Sequence, residues 1–176
     1  GARLAVEDAN AQNPKIGGQE VKFELVSEDD QADPRTATTV AQRLTDGGVK
    51  GVVGHTTSGA SIPASRVYEQ AGVPVITPSS TSPKLTQQGF SVTYRVIAND
   101  LQQGAAMAKY ATDTLKLKKF AVIDDRTAYG QGLADAFADA VKKVGGEVVG
   151  REFTTDKATD FTAILTKIKT RSPDAL

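Results

Sequence analysis

The sequence predicts an α/β fold of parallel sheets with helices on their faces, for three reasons. Short β-branched runs alternate with helical patterns at the spacing of βαβ units. Glycine stops close successive helical patterns at Gly47-Gly48, Gly72 and Gly145-Gly146. Several strand runs end in polar loops, which a parallel sheet gathers at one edge. The βα units fall into a block up to about Ala98 and a second block after it, which predicts two lobes, 1–98 and 99–176.

The first pattern, Gly1 to Asn13, has Leu4, Ala5, Val6 and Ala9 at helical spacing. Asn13-Pro14 and Gly17-Gly18 break it, and Val21, Phe23 and Leu25 then alternate as a strand running to Val26. Ser27 to Gln31 is an acidic exit. Asp33-Pro34 predicts a capped helix start with Pro at the first helical position. That helix carries Ala37, Val40, Ala41 and Leu44. Val49 to Gly54 is the next strand, leaving through the polar loop His55 to Gly59. A helix with Ala64, Val67, Tyr68 and Ala71 on one face follows.

Val73 to Thr86 reads V-P-V-I-T-P-S-S-T-S-P-K-L-T. Val73, Val75 and Ile76 predict a strand covered on both faces. The hydroxyl cluster begins at its carboxyl end, where open α/β sheets bind ligands. Phe90 to Val96 is a further strand candidate, and a helix is expected from about Asp100 to Leu115. Lys119 to Asp125 predicts a strand with Arg126 to Gly130 as its exit loop. A helix from about Gly132 to Val144, a strand over Glu147–Phe153 and a last helix marked by Phe161, Ile164, Leu165 and Ile168 complete the chain.

Composition narrows the chemistry. The 176 residues are 39% hydrophobic, enough for a core, and can form one domain or two small lobes. Lys+Arg and Asp+Glu are equal at 21 each, so no basic footprint suits nucleic acid or a membrane surface. No apolar run is long enough to span a bilayer. The absence of Cys excludes disulfides, thiolate metal sites and a Cys nucleophile. The chain has a single His and no Trp.

The candidate chemistry is neutral. The Ser58 loop and the Ser79–Thr81 loop both follow strands, and Tyr129 sits on a third exit loop. Such loops serve turn and capping chemistry, or they line a hydrogen-bonding cleft for a small polar or zwitterionic ligand. His55 has no acidic or metal-ligating partner at ligand spacing and reads as a strand-end residue satisfied by backbone. Asp29-Asp30 and Asp124-Asp125 are neighbours on strand ends and point apart, so neither pair makes a catalytic dyad. Both read as solvated. No dinucleotide fingerprint, P-loop or nucleophile elbow occurs, and the reading is a non-enzyme with no cofactor and no metal.

Six motifs in order carry a resemblance: A-V-E-D-A-N, E-D-D-Q-A-D-P, V-V-G-H-T-T-S-G, V-P-V-I-T-P-S-S-T-S-P-K-L-T, Y-R-V-I-A-N-D-x-x-Q-G and D-D-R-T-A-Y-G-Q-G. Over essentially its whole length the chain resembles the periplasmic branched-chain amino-acid (leucine/isoleucine/valine) binding proteins. These are type I solute-binding proteins that feed ABC importers. The resemblance implies two Rossmann-like parallel-sheet lobes, truncated at both ends here, that close on a ligand about a hinge near Ala98–Asp100. It implies a small aliphatic amino acid as ligand, a membrane permease as partner and a periplasmic location. It implies Ser58 for the ligand carboxylate and the Ser79 carbonyl for the ammonium. Thr81 would contact both ends, Tyr129 would fold over the ligand, and Ser80 is a weaker candidate. Another small amino acid or amide, such as γ-aminobutyrate or urea, and a receptor or sensor ligand-binding domain are the alternative readings.

Two departures follow. Ala32 and Thr57 stand where some relatives of that family carry a disulfide between two loops. The family's acidic partner for the ammonium and its aromatic pocket residues fall outside these positions. The family also has a strand between Val21–Val26 and Val49–Gly54 that this sequence does not supply. The expectation is that those two segments lack a direct neighbour, leaving an unpaired sheet open to chain–chain association.

Overall fold

The computed structural model describes residues 1–176. It contains two separate parallel sheets, each with its own small core, and a short antiparallel hairpin near the start.

Helix α1 spans Ala2–Ala11, as its periodicity predicts, but none of its residues is buried and Leu4 is 61% exposed. The expected apolar stripe therefore has nothing to pack on. Strands β1 (Lys15–Ile16) and β2 (Gln19–Glu20) form the hairpin. Gly17 and Gly18, at φ +59° and +82°, supply the two positive dihedrals such a two-residue turn needs. Val21–Val26, expected as a sheet strand, pairs with no other strand. Val21 N donates to Pro14 O at 2.9 Å, and a side chain substitutes for a ladder at Phe23: Asn10 Oδ1 accepts from Phe23 N at 2.7 Å and Asn10 Nδ2 donates to Phe23 O at 2.9 Å.

Helix α2 (Pro34–Asp46) starts at the predicted cap. Asp33 Oδ1 accepts from Arg35 N at 3.0 Å and from Thr36 N at 2.8 Å. The Thr36 amide, first, holds the Asp33 carboxyl below its ordinary value. Ala37, Val40, Ala41 and Leu44 face inward, as expected. Helix α3 (Ser58–Ala71) closes on Gly72 in the left-handed region. Small residues let α2 and α3 approach closely: Ala37, Ala41, Ala60 and Ala64 are fully buried beside Tyr68 and Val75.

Strands β3 (Val52–Val53), β4 (Val75–Thr77) and β5 (Thr93–Arg95) form a parallel sheet in that order. The register puts Val52 beside Val75 and Val75 beside Thr93. Only one face of β4 is covered. Val75 and Thr77 are buried and Ile76 is 40% exposed, which corrects the expectation of a strand covered on both faces. The reason is that α2 and α3 both pack against the Val75 side. The outer edge of β3 has no strand beside it, as the missing neighbour implied.

The second sheet pairs β6 (Lys119–Asp124) with β7 (Glu147–Phe153), parallel, with a register shift at Phe120/Ala121. Pro173 to Leu176 runs beside β6 like an incoming strand. Ala121 N donates to Ala175 O at 2.9 Å, and Asp174 Oδ2 accepts from Lys118 N and Lys119 N, each at 2.8 Å. Helix α4 (Asp100–Lys109) carries on into a π-helical turn at Tyr110–Thr114, so the longer helix expected to Leu115 changes pitch near its end. Helices α5 (Ala128–Lys143) and α6 (Thr162–Lys169) complete the unit.

Gly104 fixes how closely α4 approaches α5. A Cβ there would lie 2.9 Å from Ala136 C and 2.9 Å from Phe137 N, and backbone cannot move aside as a side chain can. Gly104→Ala is therefore expected to lower the unfolding free energy by about 1–3 kcal/mol through overpacking. Urea titration followed by circular dichroism reads this directly. An unchanged midpoint would mean that the two helices separate without cost.

Candidate functional site

His55 gathers the strand-exit edge of the first sheet. Its side chain is buried between two partners: Nδ1 lies 2.5 Å from Asp30 Oδ2, and Nε2 lies 3.0 Å from Tyr68 Oη. Its carbonyl accepts three hydroxyls, from Thr77 Oγ1 at 2.9 Å and from Ser61 Oγ and Ser80 Oγ at 3.2 Å each. One residue thus joins the Asp30 loop, α3, β4 and the hydroxyl loop after β4. The expectation of a backbone-satisfied His is corrected. Its acidic partner lies 25 residues away in sequence, where no local spacing rule could find it. Asp30 is likewise bonded rather than solvated.

The predicted site residues divide around this node. Ser58 is not on a loop: it opens α3, because the Thr57 side chain caps the helix one residue earlier by accepting from Ala60 N at 3.3 Å. Ser58 is buried, and its Oγ accepts from Ser82 N at 3.2 Å, which ties the two polar segments together. The Ser58 and Gly59 amides donate to nothing in the chain, so free N–H groups and the positive end of the α3 dipole stand at this edge.

Ser79 is exposed. Its amide leans on Thr77 Oγ1 at 3.3 Å and its carbonyl accepts no hydrogen bond from the protein. Ser80 is buried and fully engaged: its amide donates to Thr77 Oγ1 at 2.9 Å, and its hydroxyl meets Ser61 Oγ and the His55 and Thr56 carbonyls. Thr81 is half-buried. Its amide is free, its hydroxyl oxygen is buried with no partner, and its carbonyl accepts from Asp100 N at 2.9 Å.

Tyr129 stands apart from these four. It lies in the first turn of α5 rather than on an exit loop, because Thr127 Oγ1 accepts from Gly130 N at 2.9 Å and starts the helix early. Tyr129, 41% exposed, lines an open apolar cavity of about 620 Å³ with Phe120, Val122, Leu133 and Phe137, and neither Ser58 nor Ser79–Thr81 lines it. One turn further along α5, a Cβ at Gly132 would lie 3.9 Å from the Ser82 hydroxyl.

The loop that carries Tyr129 is itself well braced. Asp124 accepts from Arg126 N at 3.0 Å and meets Arg151 at 3.4 Å, while Asp125 accepts from Thr127 N at 2.9 Å. Asp124 is buried, so the expectation of a solvated strand end is corrected there too. Arg126 caps the Phe153 ring at 3.4 Å from its centroid.

Sequence reasoning missed Asp100 as anything but a helix start. It is fully buried, and neither carboxyl oxygen has a hydrogen-bond partner. An acid in the first turn of a helix reads as a partner for the helix dipole, which hides any other use.

Comparison with known proteins gives a consistent answer. A family profile described as "Periplasmic binding protein" matches residues 1–176. The chain is 45% identical over 170 residues to an amino acid binding protein of Pseudomonas aeruginosa, covering 96% of this chain and 45% of that protein. It is 36% identical over 174 residues to the Leu/Ile/Val-binding protein of Escherichia coli, covering 99% of this chain and 47% of that one. Among solved structures, the branched-chain amino acid transporter substrate binding protein of Streptococcus pneumoniae, in complex with isoleucine, superposes with a TM-score of 0.85 at 35% identity. That match covers 98% of this chain and 48% of the other. A leucine binding protein of Thermotoga maritima gives 0.86 at 33%, with 96% and 48% covered. The fold is that of the type I periplasmic binding proteins, and the chain spans about half the length of the curated relatives it matches.

Burial, first, and the neighbouring Asp30 carboxylate push the Tyr68 hydroxyl from 10.0 up to about 12. A group raised in the folded state adds stability that is complete below its unfolded value and is lost as pH climbs through the folded one. Unfolding free energy is therefore expected to fall between pH 10 and about 12. Tyr68→Phe should remove that component, and it should also cost about 1–3 kcal/mol at neutral pH by stranding His55 Nε2. Denaturant melts across that range check both, and identical alkaline profiles for parent and variant would contradict the assignment.

Proposed function

We propose that this chain, which belongs to the periplasmic binding protein family, is the part of an extracytoplasmic solute-binding protein that grips the two charged ends of a small aliphatic amino acid. The observation that carries the reading is the set of unused polar groups at one sheet edge: the Ser58 and Gly59 amides, the Ser79 carbonyl and the Thr81 amide and hydroxyl. Buried or semi-buried backbone groups are normally paired, so free ones at Ser58, Gly59 and Thr81, beside the exposed Ser79 carbonyl, suit a ligand that completes them.

In this reading the ligand carboxylate sits on the α3 N-terminus, where the Ser58 segment supplies N–H donors and a positive dipole end. The ammonium donates to the Ser79 carbonyl and to Thr81. Ser80 supports the wall from behind through His55 and does not touch ligand. Tyr129 approaches from the second unit when the units 1–98 and 99–176 close about Ala98–Asp100. Closure is favoured because the ligand contacts both units only in the closed state. Hydroxyls and fixed amides suit a zwitterion because they match both charges without adding one of their own.

The aliphatic choice rests on the relatives: the Escherichia coli protein is named for Leu/Ile/Val and the Streptococcus pneumoniae structure holds isoleucine. Delivery to an ABC permease and a periplasmic location come with the family. No chemistry on the ligand is proposed. No helix of the chain is long and apolar enough to cross a membrane.

Titration calorimetry on the full protein that carries this sequence tests the proposal. Leucine, isoleucine, valine and alanine are the arms, with γ-aminobutyrate, urea and acetamide as competitors. At least one branched-chain amino acid should bind, and Ser58→Ala should weaken it by about 1.5–3 kcal/mol, the range for a hydrogen bond to a charged group. Binding of an amide alone, or hydrolysis of any arm, would sink the reading.

A further inference from the structure

We infer that the first unit holds a buried water between β5 and α3, bonded to the hydroxyls of Thr93, Ser61 and Ser65. This water stands behind the hydroxyl loop, and its presence does not depend on which ligand the site takes. The register sets Thr93 beside Val75 of β4. Residues paired across strands share a face, so the Thr93 side chain points with Val75 into the core that α3 covers. Its Oγ1 is buried, and no group of the chain bonds to it. A threonine hydroxyl carries a donor and two acceptor sites, and leaving one buried and unpaired is costly. Thr93 borders a small cavity of about 10 Å³ that Ser61, Ser65, His55, Thr77 and Leu85 also line. That volume is near the lower limit for a single water.

The hydrogen-bond capacity around the cavity shows which partners such a water has. The His55 ring is spent on Asp30 and Tyr68. Thr77 Oγ1 donates to the His55 carbonyl and accepts from the Ser79 and Ser80 amides, which uses its full capacity. Ser65 Oγ donates to Ile62 O at 2.7 Å and accepts from Gln88 Nε2 at 2.9 Å, which leaves one lone pair. Ser61 Oγ donates to the His55 carbonyl and meets Ser80 Oγ, and it too keeps an acceptor site. Ser61 and Ser65 stand one turn apart on α3 and share a face. One donor from β5 thus meets two acceptors from α3. A water accepts from Thr93 and donates to both serines, three bonds in all, the typical number for an internal water. A cation does not suit the cavity, because buried charges need a counter-charge and no carboxylate lines it. The water ties β5, the strand before the Val96–Asn99 stretch, to the helix whose first turn carries Ser58. Through Ser61 it also reaches the His55 carbonyl that anchors Thr77 and Ser80.

A high-resolution crystal structure of the full protein that carries this sequence is the first test. Density for a water should lie about 2.7–3.0 Å from Thr93 Oγ1, Ser61 Oγ and Ser65 Oγ. Thr93→Val is the second, since it keeps the shape of the side chain and removes the hydroxyl. With the water in place, that change breaks a buried hydrogen bond, and the folded-to-unfolded ratio read from urea melts should fall about fivefold. Around a bare hydroxyl, the same change removes an unpaired polar group, and the ratio stays level or rises. No density at that point, a Thr93 hydroxyl turned onto a carbonyl of the chain, or a variant as stable as the parent overturns the inference. Should the variant fail to fold, the density in the parent decides alone.

Discussion

The hydrogen bonds that converge on His55 hold the candidate site in shape. The imidazole is fixed between Asp30 and Tyr68, and the carbonyl of the same residue receives Ser61, Thr77 and Ser80. Three stretches of chain meet there, around Asp30, at 55–68 and at 77–80. The arrangement is buried, so each bond resists replacement by water, and each unmade bond would leave a costly orphan. The Ser79 carbonyl and Thr81 amide can stay free because Ser80 and Thr77 anchor the same loop from inside. A wall of unused donors and acceptors needs such a backing, since otherwise the loop would turn to satisfy itself. The Asp30–His55 contact also joins the loop after Val21–Val26 to the loop that leads into α3. In a chain without cysteine, a buried polar pair supplies that cross-connection.

Much of this was legible in the residues. Asp33-Pro34 announced α2, and the apolar stripe Ala37, Val40, Ala41 and Leu44 is the face it buries. The strand at Glu147–Phe153 was bounded correctly, because a short run between Gly145-Gly146 and the polar segment after Phe153 leaves little choice. Periodicity reports what a segment could bury, not what stands opposite it. Leu4 and Phe23 sit in sound patterns and stay exposed or unpaired, since burial needs a partner surface. Helix starts were placed late at Ser58 and Tyr129 for a local reason. Thr57 and Thr127 are caps, and a threonine inside a polar loop gives no sign of whether it caps or lines. His55 was misread because its partner is set by tertiary structure alone.

Small residues govern how the helices meet. Ala37, Ala41, Ala60 and Ala64 bring α2 against α3, and Gly104 brings α4 against the backbone of α5 at Ala136 and Phe137. Close backbone packing leaves little room for adjustment inside each unit. In the closure proposed above, motion of one unit against the other concentrates where packing is sparse. Between Val96 and Asn99 the chain runs exposed or half-buried, and the capping box of Asn99 and Gln102 starts α4 immediately afterwards. A hinge there, in the closure proposed above, would carry α4 together with α5, whose backbone α4 meets closely at Gly104.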